Sequence, residues 1–268
     1  MSGVRVAIAG AGGRMGRALL EAATATQGVT LAAALDVTAS MLVGRDAGDI
    51  AAAARGIRIG SDVRAALASA DVLIDFTRPA GTLEHLQACR EAKRALVIGT
   101  TGFDGPQLAA IREAASAIPI MMSPNMSMGV NVMFKLVEMA ARALGPEYDV
   151  EVFEVHHKLK VDAPSGTALK LGEVAAAARG STLERDGVYD RHGHTGERKP
   201  GAIGFSAARG GDVVGDHTVF FAGPGERVEI THRAASRATY AQGAMRAALF
   251  LARKSAGLYD MQDVLGLR

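Results

Sequence analysis

Residues 154–167 carry the densest group of reactive side chains in the sequence: two adjacent histidines, two lysines and, at the end, a Ser-Gly-Thr turn. An imidazole can give or take a proton near neutral pH, and a lysine ammonium can donate one. The turn at 165–167 precedes a predicted helix, 168–179, whose first free N–H groups attract an anion such as a carboxylate. The segment therefore combines proton donors with a place to hold an anionic substrate.

Each of these groups also has an ordinary structural explanation. Adjacent histidines on a strand point to opposite faces, so His156 and His157 cannot both face one pocket without a turn, and a His-His pair beside lysines is often a solvated surface. Ser165 fits the N-cap position of the following helix. Because no cysteine or carboxylate pair with ligand spacing stands nearby, we predict no metal site. The residues alone leave a catalytic role and a solvated surface both open.

A second candidate site is the glycine-rich turn from Gly10 to Gly16, between the predicted strand Val4–Ala9 and the predicted helix Arg14–Ala25. Glycine permits a tight turn and lets a pyrophosphate approach the backbone, while the helix N-terminus offers unpaired N–H groups. Asp36, at the end of the second predicted strand, can accept hydrogen bonds from the ribose of a dinucleotide. The alternative is an ordinary strand–turn–helix corner.

The charge of Asp36 bears on the choice between NADH and NADPH. A carboxylate repels the 2′-phosphate of NADPH, and Val37 adds no compensating positive charge. Arg14 is the one cation nearby in the sequence that can still bind this phosphate. We therefore predict a preference for NADH, or use of both cofactors.

Short apolar segments alternate with helical ones in the first half of the chain. The predicted strands are Val4–Ala9, Val29–Leu35, 72–76, Ala95–Ile98 and 118–122, the predicted helices are Arg14–Ala25, 80–92 and 106–115, and 41–60 is a less regular insertion. This alternation predicts a parallel sheet with helices on both faces. Ligands bind at the carboxyl ends of such strands, so loops 76–79, 99–102 and 123–127 are expected to face the cofactor, although any one of them is also explained as a simple turn.

The second half has a different pattern. The predicted helix Met128–Leu144 and strand Asp149–His156 are followed by helix 168–179, a polar loop at 181–200, strands at 202–208, 212–221 and 226–232, and helix 236–255. Neighbouring strands without intervening helices predict a mostly antiparallel sheet, and the long polar loop predicts a functional segment or an interface arm. The predicted fold class is α/β: a Rossmann-like dinucleotide-binding domain plus an α+β domain.

Composition excludes several classes of protein. The 268 residues include 30 Lys and Arg against 28 Asp and Glu, a net charge of +2. Nucleic-acid-binding domains typically have a larger excess of basic residues, so this class is disfavoured. The longest stretch without charged residues, 114–134, contains prolines and asparagines, so it is not a membrane span. Cys89 is the only cysteine and is expected to be buried. A single cysteine and the absence of a visible signal peptide predict the cytoplasm.

The segment beginning at His156 reads HHKLKVDAPSGTA and closely resembles the signature of the 4-hydroxy-tetrahydrodipicolinate reductase family, also called dihydrodipicolinate reductase. Further similar segments are 6–16, 75–79, 97–103, 129–132, 193–198 and 230–232. The resemblance runs from about Arg5 to Leu265. It implies reduction of a dehydrated heterocyclic dicarboxylate to tetrahydrodipicolinate with NADH or NADPH, in lysine and diaminopimelate biosynthesis. The resemblance further implies that a hydride adds to ring C4 and a proton to the neighbouring carbon.

The resemblance also implies roles for individual residues. His156 would be the acid/base group and Lys160 the proton donor. The substrate-binding residues would be His157, Ser165, Gly166 and Thr167. The cofactor-binding residues would be Gly10, Ala11, Gly12, Gly13, Arg14, Met15, Asp36, Gly99, Thr100, Thr101, Ser123, Pro124, Asn125 and Met126. The family pattern further implies a homotetramer, a dinucleotide-binding domain of residues 1–127 completed by 237–268, and a substrate-binding and tetramerisation domain of residues 128–236.

Three segments depart from the family pattern. Val37 follows Asp36 where a basic residue is common, which puts NADPH binding in doubt; Lys158-Leu159 replaces a common Arg-His step; and Pro124 replaces a more usual alanine, which stiffens its loop. Two other functions fit the same scaffold: a different oxidoreductase, such as an amino-acid dehydrogenase, or a nucleotide sensor without catalysis. The specific motif at 156–167 argues against a different oxidoreductase, and a sensor would not need His156 and Lys160 beside an anion site.

Overall fold

A computed structural model describes residues 3–268; Met1 and Ser2, which begin the segment predicted to lack a signal peptide, lie outside the described residues. The chain divides into two units, one formed by the residues up to Met128 with Arg237–Arg268, and one formed by Gly129–Ser236. The divisions predicted from the sequence lie after residues 127 and 236. We call them unit 1 and unit 2.

The strands and helices are bounded as follows. The strands are β1 Val4–Ala9, β2 Val29–Leu35, β3 Ile59–Gly60, β4 Val72–Asp75, β5 Ala95–Ile98, β6 Pro119–Met122, β7 Asp149–His156, β8 Gly187–Val188, β9 Ile203–Arg209, β10 Gly215–Gly223, β11 Glu226–Ala234 and β12 Gly257–Tyr259. The helices are α1 Arg14–Ala25, α2 Val63–Ser69, α3 Pro79–Ala92, α4 Gly105–Ala114, α5 Met128–Leu144, α6 Gly166–Ala178, α7 Leu183–Asp186, α8 Ala238–Leu251 and α9 Met261–Leu265. No helix among residues 3–268 is both long and apolar enough to cross a membrane.

Unit 1 is built on a seven-stranded sheet in the order β12-β6-β5-β4-β1-β2-β3, and all its strand pairs are parallel. Every residue of β4 and β5 is buried, as expected of apolar strands covered on both faces. The chain extends from β1 in one direction to β2 and in the other to β4. This reversal opens a crevice at the carboxyl ends of β1 and β4, where open parallel sheets bind ligands.

Helix α8 returns from the end of the chain to complete unit 1. Seven of its residues are buried, and six of them join the core that also contains Leu19 and Leu20 of α1. A Cβ atom on Gly243 would lie 1.8 Å from the carbonyl oxygen of Met126, so glycine permits α8 to pass directly against the loop that follows β6. Cys89 is buried on the other face of the sheet, as expected.

The sheet of unit 2 corrects the prediction of a mostly antiparallel sheet. Its order is β11-β10-β7-β9-β8; β10 pairs antiparallel with β11 and β7, but β9 pairs parallel with β7 and β8. The sheet is therefore mixed. The physical reason is the connection from β7 to β9, which crosses over through α6 and so returns the chain in the same direction.

The predicted loop at 181–200 contains α7 and β8, and its remaining part is held by two arginines. Arg191 donates to both carboxylate oxygens of Glu151, at 2.7 and 2.8 Å. Arg198 donates to Glu151 at 3.1 Å and to Asp149 at 2.5 Å. The segment is thus anchored to β7 by charge-assisted hydrogen bonds despite its lack of long elements.

Candidate active site

The glycine-rich turn joins β1 to α1 as predicted, and its backbone is tightly folded. Gly10 has a positive φ of 75°, and the N–H of Gly13 donates to its carbonyl at 2.9 Å. A Cβ on Gly16 would lie 2.2 Å from the carbonyl oxygen of Gly10, so only glycine allows α1 to start this close to β1. The free N–H groups at the start of α1 then lie at the carboxyl end of β1, which suits a pyrophosphate.

Asp36 lies directly beside this turn. Its Oδ2 accepts from the N–H of Gly12 at 3.0 Å, and its Oδ1 accepts from its neighbour Val37 at 2.8 Å. A Cβ on Gly12 would lie 2.6 Å from Oδ2 and 2.5 Å from Leu42, so glycine is required for this contact. The carboxylate keeps lone pairs free, and its position fits the ribose of a dinucleotide.

A groove of about 520 Å³ runs beside the turn. Its cationic residues are Arg14, Arg17 and Arg237, and the acidic residue Asp49 also lines it. Arg14 was predicted as the one nearby cation; Arg17 and Arg237 were missed because one is three residues further along α1 and the other joins from the C-terminal part of the chain. The groove is thus more cationic than the sequence suggested, which favours phosphate groups.

The glycine-rich turn and two of the loops predicted to face the cofactor, 76–79 and 99–102, come together at one end of the sheet. A Cβ on Gly10 would lie 3.1 Å from Thr77, and one on Gly99 would lie 2.2 Å from the ring of Phe76. The hydroxyl of Thr100 donates to Asp75 at 3.3 Å. The loops that follow β1, β4 and β5 are therefore in direct contact.

Not every predicted cofactor residue presents its side chain there. Thr100, Ser123 and Met126 are buried, and the hydroxyl of Ser123 donates to the carbonyl of Asn125 at 2.9 Å. These three residues can reach a cofactor only through backbone groups. Thr101 and Pro124 are exposed.

A buried carboxylate that was not among the predicted site residues organises these loops. Asp75, 0% exposed, accepts from the N–H and hydroxyl of Thr77 at 2.8 and 2.7 Å, and its Oδ2 lies 2.7 Å from Nδ1 of His85. Burial alone raises the pKa of Asp75, but the contacts with His85 and Thr77 outweigh burial and hold the pKa below its ordinary value. Asp75 therefore stays ionised and ties the end of β4 to α3.

In unit 2, β7 ends at His156, which lies on the face that Val150 and Val152 use for the core. Glu154 shares this face and is 1% exposed. Nδ1 of His156 lies 2.9 Å from Oε2 of Glu154. The adjacent His157 leaves the strand, with its N–H donating to Val213 at 2.7 Å, so only His156 is held against the carboxylate.

Glu154 is fixed from two further sides. Its Oε1 accepts from the backbone N–H of Ser165 at 3.0 Å and from Nη2 of Arg209 at 2.8 Å. Burial alone raises the pKa of Glu154, but the donors His156, Ser165 and Arg209 together hold it far below its ordinary value. Arg209 also donates to the carbonyl of Asp162 at 2.6 Å, which ties the loop after β7 to the same carboxylate.

His217 on β10 completes this cluster. Its Nε2 lies 3.1 Å from the hydroxyl of Ser165, and its ring meets the ring of His156 edge-on at 5.0 Å. Burial, followed by the charge of His156, lowers the pKa of His217 to about 4. His217 is therefore neutral near neutral pH.

Lys160 lies on the loop between β7 and α6. Its Nζ donates to both carboxylate oxygens of Asp162, at 2.7 and 2.8 Å, and its side chain is 21% exposed. Helix α6 begins at Gly166, which is exposed, and Thr167 follows. Ser165 caps the helix by accepting from the N–H of Ala168 at 3.2 Å. Since the hydroxyl and N–H of Ser165 both have protein partners, the structure gives this residue a structural role in addition to its predicted one.

One atom from each of Glu154, His156 and His217 lies within 4.8 Å of the other two, a spacing that a metal ion could use. The guanidinium of Arg209 lies 2.8 Å from the same carboxylate, however. A divalent cation would stand beside that positive charge, so the arrangement fits a proton-binding cluster better than a metal site.

Comparison with known proteins agrees with this arrangement along the whole chain. The family profile described as dihydrodipicolinate reductase, N-terminus, matches residues 4–126, and the profile for its C-terminus matches residues 129–265. The chain belongs to the dihydrodipicolinate reductase family. Relatives named 4-hydroxy-tetrahydrodipicolinate reductase include that of Aromatoleum aromaticum, 60% identical over 99% of this chain and 96% of the relative. That of Laribacter hongkongensis is 60% identical over 100% of both chains.

Solved structures place the dihydrodipicolinate reductase family among related folds. A dipicolinate-bound dihydrodipicolinate reductase from Paenisporosarcina sp. TG-14 covers 97% of this chain and 98% of its own, with 25% identity and a TM-score of 0.75. GenD2 from gentamicin A biosynthesis, solved with NAD, has 17% identity and a TM-score of 0.58 over 100% of this chain and 91% of its own, which shows a shared fold alone. The predicted resemblance is thus confirmed.

The family motif points to His156 and Lys160 but not to the residues behind them. Glu154, Arg209 and His217 were missed as site residues, and so were Asp75 and His85. One signal was present in the sequence: Glu154 and His156 fall on the alternate positions that Val150 and Val152 occupy in the core face of β7. A charged residue at such a position has to find a partner.

Proposed function

We propose that this chain reduces the heterocyclic dicarboxylate formed by dehydration of 4-hydroxy-tetrahydrodipicolinate, giving tetrahydrodipicolinate in lysine and diaminopimelate biosynthesis. The observation that carries the proposal is the full-length match to 4-hydroxy-tetrahydrodipicolinate reductases, combined with a buried Glu154–His156 pair beside the start of α6. The dipicolinate-bound neighbour supports a dicarboxylate as substrate.

Unit 1 binds the reduced nicotinamide cofactor in this proposal, and the fit rests on its own residues. The turn from Gly10 to Met15 and the N-terminus of α1 hold the pyrophosphate, Asp36 holds the ribose, and backbone groups of loops 99–101 and 123–126 line the remaining cofactor site. When bound, the cofactor supplies a hydride to ring C4 of the substrate. We propose that NADH is preferred, because Asp36 is held in place beside the turn and carries a charge that opposes a 2′-phosphate.

Unit 2 binds and protonates the substrate in this proposal. The N–H groups of Gly166 and Thr167 hold one carboxylate, with Ser165 fixing the start of α6 and His157 contacting the substrate. The ammonium of Lys160 leaves the carboxylate of Asp162 and binds a substrate carboxylate instead. It then donates the proton to the carbon next to C4. His156 acts as the acid/base group. The ammonium of Lys160 and the protonated form of His156 stabilise the negative charge that hydride addition builds on the ring.

We further propose the family's homotetramer and a cytoplasmic location. The outer face of the unit 2 sheet supports assembly, because Phe153 on β7 is 40% exposed there. On this face Thr218 of β10 pairs with Phe153 and with Thr231 of β11. Size-exclusion chromatography with light scattering tests this; a monomer at micromolar concentration would contradict it.

The activity test supplies the unstable substrate from a coupled upstream synthase and follows the loss of reduced nicotinamide absorbance. We expect turnover in wild type and a loss of about 100-fold or more in kcat for Lys160→Ala, since a positioned proton donor contributes about 10²–10⁴-fold. The dissociation constant for NADH should not change. Lys170→Ala on α6, which removes an exposed lysine paired with Glu173, is the matched control. Wild-type turnover in Lys160→Ala would refute the assigned role, and no turnover in wild type would refute the function.

A further inference from the structure

Burying the Glu154 carboxylate beside His156 costs free energy of folding, so its presence calls for an explanation. Glu154 is 1% exposed and lies on the core face of β7, next to Val152. A buried carboxylate destabilises a protein unless it is paired and hydrogen-bonded, and an apolar residue at this position would be the simpler solution. Glu154 contacts His156 and Ser165 of the family motif, and its third partner, Arg209, also binds the carbonyl of Asp162 in the motif loop.

We propose that Glu154 is the positioning residue of His156, holding the Nδ1 edge of the imidazole so that Nε2 is the nitrogen that exchanges a proton with the substrate. This inference rests on the proposed function. Nδ1 and Oε2 lie 2.9 Å apart, an ion-pair distance at which a carboxylate orients an imidazole in other sites. Gly215 on β10 lies at the opposite edge of the ring, where a Cβ atom would lie 2.9 Å from Nε2 of His156. Glycine therefore keeps a side chain away from Nε2.

The surroundings keep Glu154 available as an anion at a fixed place. Arg209 and the N–H of Ser165 both bind Oε1, which leaves Oε2 directed at His156. His217 approaches the same oxygen at 3.7 Å but stays neutral, because it is buried and faces His156. The carboxylate therefore faces the Nδ1 edge of His156, while His217 beside it stays neutral.

The pH dependence of this cluster involves groups from every neighbouring element. They are Glu154 on β7, Arg209 on β9, His217 on β10, His232 on β11, and Lys160 and Asp162 on the loop after β7. Only Glu154 among them has a negative charge at the Nδ1 edge. Replacing it should therefore produce a specific change in the pH profile and not a general loss of activity.

The test is Glu154→Gln in the coupled reductase assay. We expect kcat to fall at least about 10-fold, as part of the contribution of general acid–base catalysis is lost, while KM for the substrate stays near that of wild type. The alkaline limb of kcat against pH should move to lower pH, because the imidazolium has lost its negative neighbour. Glu154→Asp keeps the charge and should restore part of kcat and the position of the limb.

The matched control is Glu151→Gln on the same strand. Its carboxylate is held by Arg191 and Arg198 and has no contact with His156. It should leave the alkaline limb of kcat against pH in place.

If Glu154→Gln does not fold, as judged by circular dichroism and NADH binding, Gly215→Ala tests the same geometry from the opposite edge, because its methyl group displaces the imidazole ring of His156. It should lower kcat and leave KM near that of wild type.

A readout without substrate separates the two proposals. In protein labelled with ¹⁵N at histidine, we expect the ring nitrogens of His156 to show a protonated Nδ1 in wild type and a mixture of tautomers in Glu154→Gln, with His156→Asn providing the assignment. A wild-type pH limb in Glu154→Gln, or an unchanged tautomer, would overturn the positioning role. Absence of turnover in wild type would overturn the function and leave the tautomer result standing.

Discussion

Replacing Asp36 by asparagine tests the proposed preference for NADH. The two carboxylate oxygens are bound by the N–H groups of Gly12 and Val37 at 3.0 and 2.8 Å, so the side chain cannot easily swing away from a phosphate. The 2′-phosphate of NADPH replaces a ribose hydroxyl that an acid at this position binds. In wild type the carboxylate and the phosphate would therefore be forced close together.

The size of this repulsion follows from Coulomb's law. Two unit charges about 4 Å apart in water interact by about 1 kcal/mol, and a phosphate with a charge near −2 doubles this to about 2 kcal/mol. Because about 1.4 kcal/mol corresponds to a factor of ten, Asp36→Asn should shift the ratio of kcat/KM between NADPH and NADH about 30-fold towards NADPH. The arginines of the groove are unchanged in the variant and cancel in this comparison.

The assay measures kcat/KM for both cofactors in wild type and variant at low ionic strength, where screening is weakest. Asp49→Asn is the matched control, because Asp49 lines the same groove but is paired with Arg45 at 3.1 Å. An unchanged cofactor ratio in Asp36→Asn would refute the electrostatic reasoning. A strong NADPH preference in wild type would refute the proposed specificity itself.

Two further predictions concern stability in urea unfolding. Gly16→Ala would place a methyl group 2.2 Å from the carbonyl oxygen of Gly10, so we expect the free energy of unfolding to fall by about 1–3 kcal/mol and NADH binding to weaken. The control is Gly105→Ala, whose methyl group meets no atom within 4 Å and should change neither the stability nor the binding. His217 has a folded-state pKa of about 4 against 6.5 unfolded, so the unfolded chain binds more protons between these values and stability falls as pH decreases. Between pH about 6.5 and 5, wild type should lose about 1–2 kcal/mol more of its free energy of unfolding than His217→Asn, because the slope reaches about 1.4 kcal/mol per pH unit only below the unfolded pKa; equal losses would contradict the neutral state of His217.

The sheet of unit 1 was predictable because its strands are apolar on both faces and are separated by long helices. Four elements of unit 1, β3, β12, α2 and α9, are not predicted from the sequence, because their two, three, seven and five residues are too few to show a clear periodicity. The prediction of a mostly antiparallel sheet in unit 2 was wrong. The hydrophobic pattern of a strand does not encode the direction of its neighbours; the crossover through α6 determines that β9 runs parallel to β7.

The candidate site was predictable only where its residues are close together in sequence. His156, Lys160 and the turn at 165–167 lie within one short segment. Arg209 contacts Glu154 across 55 positions, and His217 contacts Ser165 across 52. Such contacts depend on strand pairing, because β7 lies between β9 and β10, and no local spacing in the sequence reveals that pairing.

Both units nevertheless use the same arrangement at the proposed ligand sites: a fully buried carboxylate at or near the end of a strand, held by a histidine and by a hydroxyl-bearing residue of the next loop. In unit 1 this carboxylate is Asp75, and in unit 2 it is Glu154. A protein that needed only stability would replace either acid by an apolar residue, because a buried ion pair is at best weakly stabilising. An acidic residue on the buried positions of an apolar strand is therefore a stronger signal of function than the histidine it holds. That signal can be found in the sequence once the two faces of the strand are separated.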